Sequence, residues 1–162
     1  MNKLTIVASN RLAGNQMKRS LQTLNADISV LSFTEMKRML EGESPDCLLL
    51  YSEDPNQNLE SWIQIAKTFD DNLPILVLHP SHNLEDAVRL MKGGIYDYFA
   101  LPPDLSRLQL AIQNALRLYA LTKRVFLLEN HLRTHVKHQM QTRGEDERAV
   151  KELIKVYTLS NK

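Results

Sequence analysis

The chain has 162 residues, 43% of them hydrophobic, so it is long enough to bury the core of one globular domain. Its 20 basic and 19 acidic residues nearly balance, which argues against binding to nucleic acid or an anionic membrane by charge alone. No apolar window approaches the roughly 18 residues of a transmembrane helix, and the single cysteine, Cys47, excludes an intrachain disulfide. We therefore expect a cytoplasmic protein without a membrane partner.

Five short apolar runs predict β-strands. In chain order they are Leu4–Ala8, Ile28–Leu31, the run CLLLY that ends at Tyr51, the run ILVLH after Pro74, and IYDYFA before two prolines. Each run is followed by a segment with helical spacing of its apolar residues, and the first of these segments carries Leu12, Met17, Leu21 and Leu24. Thr34, Asn83 and Asp104 are predicted to cap the second, fourth and fifth helices.

The strict alternation of strands and helices indicates the fold class. Strands that are apolar throughout, rather than at every second residue, are typical of a parallel sheet covered by helices on both faces. We therefore predict an α/β fold with a doubly wound five-stranded parallel sheet of the flavodoxin-like kind, in strand order 2-1-3-4-5. An extended C-terminal helix and a short further helix follow it.

The second half of this region resembles a known family. The stretch LPILVLHPSHNLEDAVRLMKGGIYDYFALPPDLSRLQLAIQNAL strongly resembles the end of a response-regulator receiver domain of the CheY-like family, through Gly94, Asp97, Tyr98 and Pro102. LTIVASN and PDCLLLY resemble the first and third strands of that family, so the resemblance covers about residues 3 to 118. It implies two-component signal transduction, with partner proteins bound on the fourth helix, fifth strand and fifth helix.

Receivers of this family accept a phosphoryl group on an aspartate and bind Mg²⁺ through acidic residues, with a Thr or Ser and a Lys completing the site. The resemblance places these positions on residues without the required chemistry: Tyr51 for the aspartate, Ala8 and Ser9 for the acidic pair, His79 for Thr or Ser, and Leu101 for Lys. It therefore implies a degenerate pocket that holds no cofactor or metal and catalyses no reaction.

Other details follow from the same resemblance. Tyr98 occupies the position of the family's switch aromatic, and the Leu101–Pro102 peptide is expected to be cis. The ring of Tyr51 is expected to fill the emptied acidic pocket with its hydroxyl at the wet rim. Two alternatives stay open: Glu53 or Asp54 as a relocated phosphoacceptor, and a small ligand bound in the crevice.

The C-terminal part of the chain carries a different pattern. No glycine or proline interrupts residues 104–143, which predicts one helix of nearly forty residues. Leu118, Leu121, Val125, Leu128 and Leu132 follow the 3-4-3-4 spacing of a coiled coil, which His135 and Gln139 continue in polar form. We predict a pseudo-receiver domain over residues 1–118 and a helical dimerisation segment over residues 119–162, which forms a parallel homodimer.

The segment ALRLYALTKRVFLLE resembles the linker that follows receivers in sigma-54-dependent activators. No Walker A or helix-turn-helix motif follows it, so either the effector lies outside this chain or the coil is the output. Gly144 is predicted to end the long helix. A further helix is predicted in EDERAVKELIKVY, with Val150, Leu153, Ile154 and Tyr157 on one face, either folded back as a hairpin or awaiting a partner.

Three histidines, His131, His135 and His138, share one side of the long helix. Without an acidic or cysteine partner they are better read as a solvated or interfacial feature than as metal ligands. The basic residues of this segment are spread around the helix, which argues against nucleic acid as a partner of this chain alone. The sequence therefore predicts a phosphorylation-independent receiver that acts by contact with an unidentified signalling or effector protein and by dimerisation, with a ligand sensor as the rival.

Overall fold

The computed structural model describes residues 1–80, 82–143, 151, 152 and 154–156. Ten elements alternate strictly along residues 2–143. They are β1 (Asn2–Ala8), α1 (Arg11–Ser20), β2 (Ala26–Leu31), α2 (Phe33–Gly42), β3 (Cys47–Tyr51), α3 (Leu59–Phe69), β4 (Ile75–His79), α4 (Leu84–Lys92), β5 (Asp97–Ala100) and α5 (Leu105–Arg143). No helix in the described ranges is long and apolar enough to cross a membrane.

The five strands form one parallel sheet in the order β2-β1-β3-β4-β5, which confirms the predicted fold class. Each central strand is buried on both faces, as its continuous apolar sequence requires. One core cluster lies between the sheet and helices α1 and α5, and it includes Leu21, Leu108 and Ile112. The other lies between the sheet and helices α2, α3 and α4, and it includes Met36 and Ile63.

The starts of three helices test the predicted caps. The side chains of Asn83 and Asp104 accept backbone N–H bonds at the starts of α4 and α5, as predicted. The prediction of Thr34 as the cap of α2 is wrong, because Ser32 holds that position. Ser32 and Glu35 form a reciprocal capping box, in which each side chain accepts the other's backbone N–H.

Helix α1 also differs from its predicted face. Leu12 lies in the first turn and is 68% exposed, so it does not belong to the buried stripe. The residues of α1 that face the core are Ala13, Gly14 and Met17. The helix approaches β1 closely, since a Cβ placed on Gly14 would lie 2.9 Å from the Cβ of Ala8.

Helix α5 runs without interruption from Leu105 to Arg143, which confirms the prediction of one long helix. The chain divides into a first unit, Met1–Ala120, and a second unit, Leu121–Lys162. Tyr119, which the predicted boundary assigns to the dimerisation segment, is 3% exposed and packs in the core of the first unit. Gly144 and most of the predicted final helix lie outside the described residues, so the helical hairpin stays a prediction.

Candidate functional site

The carboxyl ends of the strands meet at one edge of the sheet, where the register sets their neighbours. Ala8 lies opposite Tyr51, and Tyr51 lies opposite Leu78. The backbone ladder continues past the strand ends, because the N–H of Ser9 donates to the carbonyl of Tyr51 at 3.1 Å. The edge is therefore closed by backbone hydrogen bonds between neighbouring loops.

Tyr51 is half-buried at this edge and packs against the core cluster that contains Ala8. Leu101, which follows β5, packs against the same cluster, so three of the predicted site residues lie on one face of the sheet. The Tyr51 hydroxyl donates a hydrogen bond of 3.1 Å to Oε1 of Glu53. Burial, and then the hydrogen bond to Glu53, raises the pKa of Tyr51 above its usual value, so the phenol stays neutral at neutral pH.

Ala8 is only 2% exposed, and α1 covers it from one side. A Cβ on Gly14 would approach both Ala8, at 2.9 Å, and Val30, at 2.8 Å, so only a glycine fits this crossing. Ser9, the neighbour of Ala8 in the predicted acidic pair, is exposed.

His79 does not join the Tyr51 cluster. It is 6% exposed and lines a cavity of about 400 Å³ whose other walls come from the loop before α3, from α3 and from α4. The cavity is polar, and its single arginine, Arg89, is paired with Glu60 and with Asp86 at 2.9 Å. The site residues predicted together are thus divided between an apolar cluster and a separate polar cavity.

The loop after β3 holds the two carboxylates that the sequence offered as alternatives. Glu53 accepts the hydrogen bond from Tyr51, as described above. Asp54 accepts the N–H of Asn56 at 2.9 Å, and its own N–H donates to the buried hydroxyl of Ser52 at 3.1 Å. Both carboxylates therefore have structural hydrogen bonds within the loop.

Two further predictions concern β5 and the turn after it. Tyr98 is half-buried and packs against the cluster formed with α2, α3 and α4. The Leu101–Pro102 peptide is cis, which confirms the expectation from the resemblance.

The predicted dimerisation residues lie on α5 with exposed apolar side chains. The exposed fraction is 54% for Leu118, Leu121 and Val125, 64% for Leu128, and 51% for Leu132. Their spacing places them on one stripe of the helix, which we call the α5 seam. Apolar side chains exposed to this extent in a row are typical of a surface that binds another protein.

The three histidines of α5 are exposed, and His135 lies 3.4 Å from the side-chain nitrogen of Gln139. Within the described ranges, no group of three or more His, Cys, Asp or Glu side chains is arranged to hold a metal ion.

One contact was missed by the sequence analysis. The hydroxyl of Tyr119 donates a short hydrogen bond to the carboxylate of Asp70 at the end of α3. Burial, and then the bond to Asp70, raises the pKa of Tyr119. Its helical spacing from Ile112 and Leu116 would have indicated a buried position, but no sequence signal links it to a residue 49 positions away.

Comparison with solved structures identifies the architecture. A response-regulator receiver domain protein from Clostridium thermocellum superposes with a TM-score of 0.67 at 20% sequence identity, over 75% of this chain and 99% of that one. This chain has the receiver-domain fold. At this level of identity the likeness shows the fold alone, and no family model matches the sequence.

Two curated proteins are similar in sequence to parts of this receiver-like chain. The transcriptional regulatory protein ZraR of Klebsiella oxytoca is 36% identical over 50 residues, which are 31% of this chain and 11% of that protein. The regulatory protein AtoC of Escherichia coli K12 is 27% identical over 90 residues, which are 56% of this chain and 20% of that protein. The chain thus spans about a tenth to a fifth of the length of these curated relatives.

The receiver resemblance implies Mg²⁺ at the carboxyl edge, and the residues there do not fit that ion. Mg²⁺ requires near-octahedral oxygen ligands and is held in proteins by carboxylates. The positions of the expected ligands hold the methyl group of Ala8, the hydroxyl of Ser9 and a neutral phenol at Tyr51. The nearest carboxylate of the following loop, Glu53, already accepts the hydrogen bond from that phenol.

Proposed function

We propose that this chain is a phosphorylation-independent receiver, a pseudo-receiver, that acts in two-component signalling or transcriptional regulation through contacts with other proteins. The observation that supports it is the chemistry at the end of β3. The nucleophile of phosphoryl transfer in receivers is a carboxylate, whereas Tyr51 presents a phenol that is half-buried and bonded to Glu53. A neutral phenol in this environment is a poor nucleophile and a poor metal ligand.

The rest of the edge supports the same conclusion. Tyr51 and Leu101 both pack against the apolar cluster that contains Ala8, which supports the proposal that apolar side chains replace the acidic pocket of receivers. No lysine stands before Pro102 to stabilise phosphoryl oxygens. These features support a signalling role that depends on binding to other proteins rather than on phosphorylation.

Helix α4 offers a surface for such binding. Leu84, Val88 and Met91 are 75%, 43% and 49% exposed and recur at helical spacing. Leu105, at the start of α5, is 41% exposed. Exposed apolar side chains in a row favour contact with a partner protein. We propose that this α4 surface binds a signalling or effector protein, including an effector domain of the kind found in longer regulators.

Phosphorylation can be tested directly with acetyl phosphate and Mg²⁺ followed by intact-mass spectrometry. We expect no phosphoryl adduct on the wild-type chain, while a receiver with a complete acidic site, treated in parallel, should gain one. The variants Glu53→Gln and Asp54→Asn test the two alternative acceptors in the loop. A stable adduct that disappears in either variant would show that phosphoryl chemistry has moved rather than been lost.

We also propose that the chain dimerises through the α5 seam. Light scattering should give a dimer for the intact chain and a monomer for residues 1–120. The truncation has to keep Tyr119, because that residue packs in the core of the first unit. A monomer for both chains would rule out the dimer and leave the proposal about phosphorylation unaffected.

A second candidate function is a ligand sensor, which the polar cavity beside His79 supports. Its volume of about 400 Å³ is within the range of small-molecule sites. Thermal unfolding across a panel of small polar metabolites tests it, since a specific ligand at 100 times its Kd adds about 2.7 kcal/mol of stability. Gln57 lines this cavity, and a shift seen for wild type and lost in Gln57→Ala would favour the sensor.

A further inference from the structure

The α5 seam can be assigned to heptad positions, which determine the neighbours of every other residue on the helix. Leu118, Val125 and Leu132 occupy position a, and Leu121 and Leu128 occupy position d. β-Branched residues at a with leucine at d favour two-stranded parallel pairing, but only Val125 among these a positions is β-branched, so the seam residues alone do not set the orientation. The flanking positions e and g then decide between orientations of the two helices, because their side chains border the seam.

All four g positions from 117 to 138 hold basic side chains or histidines. They are Arg117, Arg124, His131 and His138. In an antiparallel pair the g residues of one helix face the g residues of the other, so this row would meet a copy of itself. That row contains no acid, so none of these g–g contacts is an ion pair, and two arginines that meet oppose association.

A parallel pair in register instead brings oppositely charged residues of the two helices together. There each g residue lies beside the e residue five positions later on the partner helix, which pairs Arg124 with Glu129 of the second copy. Arg124 is exposed and Glu129 half-buried, and neither forms an ion pair within the described residues. The symmetry of a homodimer creates this pair twice.

We propose that two copies of α5 associate in parallel and in register, held in that orientation by reciprocal ion pairs between Arg124 and Glu129. The inference rests on the proposed dimer and adds its geometry. The partner it commits to is a second copy of this chain, because Arg124 and Glu129 complement each other across the two-fold axis of a homodimer.

Cysteine crosslinking tests the orientation. Leu121→Cys and Leu132→Cys are made separately in the full chain and oxidised, and Leu127→Cys, off the seam, is the control. The native Cys47 is fully buried and does not interfere. In a parallel in-register pair both seam cysteines lie beside their own copies and should crosslink, whereas an antiparallel pair can bring at most one position against itself.

The possible results test the parallel orientation of the helices separately from dimerisation itself. Crosslinks at positions 121 and 132, with none at position 127, support the parallel in-register pair. A chain that stays dimeric by light scattering but crosslinks at only one seam position, or at neither, overturns the parallel register while the dimer stands. A monomer overturns both the dimer and its geometry.

Charge reversal tests the ion pair independently. Arg124→Glu should raise the dimer dissociation constant about tenfold, since two attractive pairs become repulsive. The double variant Arg124→Glu with Glu129→Arg should restore the wild-type constant. The control Lys137→Glu makes the same charge change at the outward position f and should leave it unchanged. An antiparallel pair predicts no weakening by Arg124→Glu, because Arg124 would face other g residues there and would make no ion pair with Glu129.

Discussion

Two adjacent leucines on α5 provide a matched test of the proposed seam. Leu127 and Leu128 are each 64% exposed, but only Leu128 lies at a heptad core position. The substitutions Leu127→Asp and Leu128→Asp therefore have the same chemistry and the same exposure in a single chain. They differ only in the face of the helix on which the new charge appears.

The expected magnitude follows from the exposure of Leu128. Burying the exposed part of one leucine gains roughly 1–2 kcal/mol, and a homodimer contains two copies. Leaving two unpaired carboxylates in the seam adds a penalty of at least about 1 kcal/mol each. The loss of about 4 kcal/mol corresponds to a dissociation constant about 1,000 times larger.

Sedimentation equilibrium over a range of concentrations measures the dimer dissociation constants of wild type and of both variants. We expect Leu128→Asp to be monomeric at concentrations where wild type and Leu127→Asp are dimers. Circular dichroism should show an unchanged melting transition of the first unit in both variants, which excludes general unfolding. Equal weakening by the two substitutions, or a dimer that tolerates Leu128→Asp, would refute the assignment of the seam.

The remaining predictions concern stability and the altered edge. Tyr119→Phe should cost about 1.5–3 kcal/mol in urea unfolding, because it removes a hydrogen bond to a carboxylate; a loss below about 0.5 kcal/mol would show that the bond contributes little. The pKa of Tyr119 is raised, so wild type should lose stability as the pH rises above 10.0, where the unfolded chain releases its proton first, and Tyr119→Phe should lose less. Ser32→Ala should cost about 1 kcal/mol in urea unfolding and Thr34→Ala much less, since only Ser32 caps α2; equal effects would contradict the capping box. Tyr51→Asp should stay unmodified by acetyl phosphate in intact-mass measurements, because the acidic pair and the lysine are absent as well; an adduct would mean that the single acid suffices.

The fold could be predicted because the apolar runs, the helical spacing between them and the strict alternation of strands and helices all indicate a parallel α/β sheet. Continuous apolar runs such as CLLLY and ILVLH have no polar face, so they require a sheet that is covered on both sides. The cap of α2 was mispredicted because Ser32 and Thr34 are both good cap residues. Glu35 lies three residues after Ser32, which is the spacing of a capping box. This pattern in the sequence favours Ser32 over Thr34 as the cap.

The arrangement of the site residues was less predictable, because the pleat of each strand determines the face of the sheet on which a residue lies. The resemblance assigns Tyr51 and His79 to one pocket, but Tyr51 lies opposite Leu78 in the register. Successive residues of a strand point to opposite faces, and His79 accordingly lines a different cavity from the Tyr51 cluster. The bond between Tyr119 and Asp70 joins residues distant in the chain, and local patterns carry no information about it.

The close crossing of α1 over β1 determines what a single acidic substitution at position 8 would do to the protein. An aspartate at position 8 would place a charge where Ala8 is 2% exposed and where α1 approaches β1 closely. A mutant that regained this acid alone would lose stability before it gained a metal ligand, because the other acid, the nucleophile and the lysine would still be missing. A single acid at position 8 would therefore lower stability without completing a phosphoryl site.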